Sequence, residues 1–210
     1  MEESEEQKIS RALNDLADCE LDLEKAENDV QIYRLKQLQS IYEKRDETIK
    51  MLPKFWSIVL SQNDDFANYI RASDFKFVDA IEGLIVDWET PNDYSITIEF
   101  HEIENVLNPQ TIKKHFKFRD DELLSEPVAV DRPVLINNSG GIKSIFDWFA
   151  WTGTQGKREF ANGADFANLI SEDIYPYCVK YYTEAQRDVL DEESCSDSSE
   201  GGLITTTDDL

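Results

Sequence analysis

The chain is poor in the residues that tie a protein to disulfides, metals, membranes or nucleic acids. Cysteine occurs three times, as Cys19, Cys178 and Cys195; the odd count, wide spacing and lack of any CxxC pair exclude a disulfide framework or zinc site and fit a reducing, intracellular compartment. The two histidines, His101 and His115, have no second ligand at metal spacing and read as surface residues. No apolar run approaches the ~18 residues of a membrane span. The opening MEESEEQKIS is acidic where a signal peptide is basic and then apolar, so a soluble, non-secreted protein with no membrane partner is expected. Bases are outnumbered, 21 Lys+Arg against 44 Asp+Glu, for a net charge of −23 and a pI near 4.3. Binding of nucleic acid by the overall field is thereby excluded.

Catalytic chemistry is missing too. Gly153-Thr154-Gln155-Gly156-Lys157-Arg158 has too short a glycine spacing for a phosphate loop, and Arg158 stands where Ser or Thr must reach magnesium. No nucleophile has an evident base. Adjacent acids such as Glu172-Asp173 diverge on a helix and make no acid/base pair, so a protein that is not an enzyme and needs no cofactor is expected.

At 40% hydrophobic and 11% aromatic residues the chain can bury a core. Neither Gly nor Pro falls between Met1 and Leu52. From Ile9 the apolar positions step by three and four through Ala12, Leu16, Cys19, Leu23, Ala26, Val30 and Tyr33, a heptad seam that drifts on through Leu35, Leu38, Ile41, Tyr42, Ile49 and Leu52. This predicts one helix from about Ile9 to Met51, roughly 65 Å long. A small domain cannot cover it, so the seam predicts pairing with a second copy; a helix folded back onto its own domain is the competing reading. Residues 1–30 hold eleven acids and three bases, and residues 31–50 five bases and three acids, which favours antiparallel pairing.

Pro53 suits the first turn of a helix over Pro53–Ser61, with more helical turns through Phe66, Tyr69 and Ile70 to about Ala72. Alternation at DYSITIEFHE turns Tyr94, Ile96, Ile98 and Phe100 one way and Ser95, Thr97, Glu99 and His101 the other. With weaker runs at Phe77–Ile81, Gly83–Trp88 and Ile112–Phe118, it predicts an antiparallel meander of about four strands. Asn137–Gly141 reads as a flexible loop. Ile145, Trp148 and Phe149 make a helical face stopped near Gly153, Asn162-Gly163 is a turn, and Pro176 kinks or divides the last helix. From Asp191 the acidic tail cannot pack and is predicted disordered.

The ordered blocks LPKFWSIVLSQ, NYIRASDFKFVDAIEGLIVDW, SITIEFH, SIFDWFAWTG and ISEDIYPYCVKYYTEAQRD, behind a long amino-terminal helix and before an acidic tail, resemble the nucleosome assembly protein family of histone chaperones, nearest its SET branch. The likeness spans about residues 10–193. It implies an α+β fold in three parts: a dimerisation helix over 1–52, an α/β "earmuff" histone-binding domain with an antiparallel sheet over 53–190, and the acidic tail over 191–210. It implies a nuclear homodimer, core histones as partners and a histone acetyltransferase as a further partner, the enzyme of that pair. The seam residues Leu16, Leu23, Val30, Tyr33 and Leu38 match the family's dimerisation helix. Asp147, Glu172 and Asp173 match acidic positions on its histone-facing side, and Asp165, Glu184 and Asp188 lie in the same acidic stretch. Two features depart from the pattern: INNSGGIKS is short where fungal members carry a longer lysine-rich insertion implicated in acetyltransferase contact, and no Lys/Arg cluster offers an import signal. The competing function is a dimeric coiled-coil adaptor that works through an aromatic surface patch around Trp148 and Trp151, without histone binding.

Overall fold

The computed structural model describes residues 4–120, 122–133 and 143–196, with the backbone alone described for residues 157 and 188–196. Helix α1 covers Glu5–Ile49. Its first turn is closed by a capping box: the Gln7 N–H donates to Ser4 Oγ at 3.3 Å and the Ser4 N–H to Gln7 Oε1 at 3.0 Å. Glu5 and Glu6 in that turn suit the positive end of the helix dipole.

Pro53 does not open the second helix as predicted. Lys54 takes a left-handed conformation (φ 56°) and α2 runs Phe55–Gln62, a sharp reversal that drops Phe55 and Trp56 into the core. Helix α3, Asp64–Tyr69, is capped by Asn63, whose Oδ1 accepts from the Phe66 N–H at 2.9 Å. The strand expected at Phe77–Ile81 is a helical turn instead: α4 covers Phe75–Val78 with Phe77 and Val78 buried. A five-residue apolar run has no period of its own, and here the preceding turn at Ala72–Asp74 carries the chain into helix.

The sheet is the expected four-stranded antiparallel meander, β1 Ile81–Thr90, β2 Asp93–Phe100, β3 Gln110–Arg119 and β4 Glu122–Ser125. The fourth member is Glu122–Ser125, which pairs Leu123 with Phe118 of β3. Leu84, Ile98 and Ile112 stand in one row, and Val86, Ile96 and Lys114 in the next. That face packs against the helices, while Lys113, His115 and Lys117 alternate outward.

Helix α5, Ile145–Trp148, is a single turn, and Trp148 and Phe149 are fully buried. The last helix is not divided at Pro176. Helix α6 (Gly163–Asn168) widens into a π-helical turn over Leu169–Ile174 and continues as α7 (Tyr175–Ser196). Pro176 has no N–H for the Glu172 carbonyl and its ring would crowd it; the wider turn just before accommodates both. Helical backbone extends past Asp191 to Ser196, beyond the boundary drawn from composition. The rest of the tail, and the loop read at Asn137–Gly141, lie outside the described residues. No helix among the described residues is long and apolar enough to cross a membrane.

Candidate functional site

Two surfaces carry chemistry that the fold does not consume. The first is α1. Every side chain from Ser4 to Val30 is exposed, including Leu16, Leu23 and Val30, and Tyr33 is 66% exposed. From Ile32 onward the helix turns one stripe, Leu35, Leu38, Tyr42, Arg45 and Ile49, toward its own domain. Leu38 therefore departs from the seam assigned to it and lines a cleft of about 370 Å³ with Arg34, Tyr42, Trp88, Glu172 and Tyr177. The fold-back reading thus holds for the carboxyl-terminal half of the helix, and the amino-terminal half leaves its seam exposed. Cys19 is exposed and Cys178 buried, where burial pushes the thiol up to about 11.

The elbow between α1 and the domain is built on polar contacts inside an aromatic box. Arg45 lies 4.5 Å from the Tyr42 ring centre and 4.2 Å from that of Tyr175. Its Nη1 donates to the Tyr175 carbonyl at 2.7 Å, and its Nε and Nη2 donate to Asp46. The Tyr175 hydroxyl donates to Asp46 Oδ2 at 2.6 Å. Burial, then that bond to a carboxylate, holds the phenol far above its usual range.

The second surface is the acidic run of α6 and α7, and its predicted members are not equivalent. Asp165 is exposed in the first turn of α6. Glu172 is exposed at the cleft. Asp173, one residue on, turns away to accept from Asn63 Nδ2 at 3.2 Å and from the Tyr181 hydroxyl at 2.7 Å. Burial and then the bond to Asp173 push the Tyr181 phenol up to about 12. Glu184 is half-exposed, with Lys180 at 4.0 Å. Only the backbone of Asp188 is described. Asp147 is spent on structure: its Oδ2 accepts from the Ser144 N–H at 2.9 Å, capping α5, and its Oδ1 pairs with Arg132. Asp64 and Asp65 were missed; both are exposed at the start of α3, beside the Asn63 that holds Asp173, and burial, then the charges of Asp165 and Asp65, push the Tyr69 phenol up. An N-cap asparagine followed by two acids was the sequence signal for them.

The aromatic patch of the competing reading is not on the surface. Trp148 is 0% and Trp151 6% exposed, and Trp148 Nε1 donates to the Gly163 carbonyl at 3.0 Å. Among the described residues no group of His, Cys, Asp and Glu is arranged to hold a metal.

No protein-family model matches the chain. Vacuolar protein sorting-associated protein 75 of Saccharomyces cerevisiae is 41% identical over 96% of this chain and 88% of its own length. A Schizosaccharomyces pombe protein provisionally named for nucleosome assembly is 28% identical over 88% of this chain and 84% of its own. The crystal structure of the Vps75 histone chaperone superposes with a TM-score of 0.79 at 42% identity, covering 85% of this chain and 99% of that one. With that identity across nearly its whole length and that superposition, the chain belongs to the nucleosome assembly protein family.

Proposed function

We propose that the chain is a homodimeric nuclear histone chaperone, in which residues 1–52 pair two copies, residues 53–190 receive core histones on an acidic side, and residues 191–210 add a loose acidic contact. The observation that carries this reading is the 41% identity over 96% of the chain to a relative whose crystal structure is that of a histone chaperone. The net charge of −23 and the outward acids Asp64, Asp65, Asp165, Glu172 and Glu184 support it; Asp147, Asp173 and Asp188 are carried into the same proposal by the family resemblance alone. Carboxylates neutralise the lysines and arginines of a histone and keep it from collapsing onto DNA. The histone passes on because the summed contacts are weaker than those of the assembled nucleosome. The protein acts by binding, and presents histones to an acetyltransferase that supplies the catalysis.

The test is a titration of each core histone pair into the full chain across a salt series, alongside Asp65→Lys/Asp165→Lys and Glu172→Lys variants. Binding that weakens with salt and with either variant supports the reading and locates the face. No binding at moderate salt overturns it.

A further inference from the structure

We infer that the cleft between α1 and the domain seats an arginine side chain from an extended segment of a basic protein partner. The inference deepens the histone reading above and rests on it for the source of that segment.

The fold already builds one arginine seat at this elbow. Arg45 lies on the rings of Tyr42 and Tyr175, with the Asp46 carboxylate 2.8 Å from its Nη2 and the Tyr175 carbonyl 2.7 Å from its Nη1. A guanidinium suits such a seat because its flat face stacks on aromatic rings while its edge donates in plane. Further toward the amino terminus along the same stripe of α1, the same ingredients recur around the cleft of about 370 Å³. Leu35 and Leu38 line it from the helix, Trp88 and Tyr177 add aromatic walls from the domain, and Glu172 supplies the carboxylate. The Trp88 ring centre stands 6.1 Å from that of Tyr42, which the two seats share. Here the ring and the acid are not consumed by the chain itself. Tyr177 is 52% exposed and stacks on no other ring among the described residues. Glu172 is exposed and has no ion pair among them.

Size and charge name the occupant. Sites for whole small molecules run to roughly 300–1,000 Å³; this cleft lies at the low end, with room for one long side chain and its flanking backbone. Acids outnumber bases around it. Glu172 stands at the cleft, and Glu43 and Asp87 line a shallower groove that continues past Tyr42 and Trp88, against Arg34 alone on the other side of the balance. Asp87 has Lys113 at 3.5 Å, and Glu43 has no ion pair among the described residues. An anionic guest would meet those carboxylates and the net charge of −23, whereas a cation is drawn in by both. Lysine fits less well, because its compact, strongly hydrated ammonium presents no flat face to the rings. Arg34 opposes the charge of the guest, so its removal and that of Glu172 act with opposite sign.

The test titrates the full chain, at about 0.15 M salt, into a fluorescein-labelled glycine-serine peptide carrying spaced arginines and into its lysine counterpart. The arginine peptide should bind about fivefold more tightly. Tyr177→Leu, which keeps apolar area and loses the ring at an exposed position, should bring the two peptides to within about twofold of each other, and Tyr177→Phe should keep the preference. Glu172→Gln should weaken the arginine peptide and Arg34→Gln strengthen it. Equal binding of both peptides by the parent chain, no measurable binding of either, or a preference that survives Tyr177→Leu overturns the seat. So does a dimer that Tyr177→Leu dissociates with the preference intact, which gives the cleft to a second copy. The histone titration, run on the same variants, separates the two claims. Histone binding without an arginine preference removes the seat and leaves the chaperone reading; an arginine preference without histone binding keeps the seat and removes that reading.

Discussion

Lys114 and Glu159 hold the two ends of one peptide group. Lys114 Nζ donates to the Trp151 carbonyl at 2.8 Å, and the N–H on the other side of that same peptide bond, from Thr152, donates to Glu159 Oε1 at 2.7 Å. Lys114 is fully buried and donates also to the carbonyls of Glu126 (2.8 Å) and Phe149 (3.1 Å). Glu159 accepts further from the Gly153 N–H at 3.0 Å. The pair fastens the exit of β4, the end of α5 and the following loop to β3.

Replacing Lys114 by Met should therefore cost about 3 kcal/mol, because three buried carbonyls lose their donor while the volume is kept. Glu159→Gln, which keeps an acceptor, should cost about 1 kcal/mol. The two changes should be less than additive, since each weakens what the other holds. Urea unfolding of the two single variants and the double variant measures this; strict additivity would mean that the shared peptide couples nothing.

The same lysine sets a pH dependence. Burial pushes its ammonium down to about 8, against about 10.4 in an unfolded chain. Between those values the unfolded chain binds the extra proton, so stability rises with pH across that window. The gap between the parent chain and Lys114→Met should widen by about 2 kcal/mol from pH 7 to pH 10. A gap that narrows would contradict the assignment. Tyr94 and Tyr175 act in the opposite sense above about pH 10, because burial raises both phenols and the unfolded chain sheds their protons first; they are common to both proteins and cancel in the difference.

Glu172 and Asp173 should separate cleanly. Asp173→Ala breaks the contacts to Asn63 and Tyr181 and should cost about 1–2 kcal/mol, whereas exposed Glu172→Gln should stay within about 0.5 kcal/mol. Thermal melts settle the point. If the exposed acids receive histones, Glu172→Lys should weaken binding at low salt without lowering the melting temperature, and Asp173→Lys should lower both.

Gly163 should tolerate no side chain. A Cβ there would stand 2.6 Å from two ring carbons of Trp151, a buried neighbour, while at Gly83 the nearest atom is the carboxylate end of Glu99 at 2.5 Å, which can swing away. Gly163→Ala should cost about 2 kcal/mol or more, and Gly83→Ala well under half of that. Equal losses in urea unfolding would show that the tryptophan moves as freely as the glutamate.

At the elbow, Tyr175→Phe removes the hydroxyl on Asp46 and should cost about 1–2 kcal/mol. Amide exchange should quicken around Ile49 to Trp56 and leave the meander protected.

Local pattern determined a good deal of this protein. The absence of Gly and Pro before Leu52 and the steps of three and four made α1 one helix, because nothing interrupts its hydrogen-bond ladder. Strict alternation oriented β2, since side chains in a strand change face at every residue. The ordered blocks carried the family. Tertiary contact decided what period could not. Lys114, which composition reads as another surface base, sits on the inner face because Ile112 and Phe116 on either side of it do, and three carbonyls meet it there. Phe77 and Val78 joined a helical turn, the run being too short to carry a period. Trp148 and Trp151 went inward, where the helices could cover their area. Glu172 and Asp173 parted across a π-helical turn, so two neighbours in sequence serve an open cleft and a closed network. Leu38 left the seam for the domain because the helix turns about 100° per residue, and a stripe spaced by sevens drifts off one face onto the next.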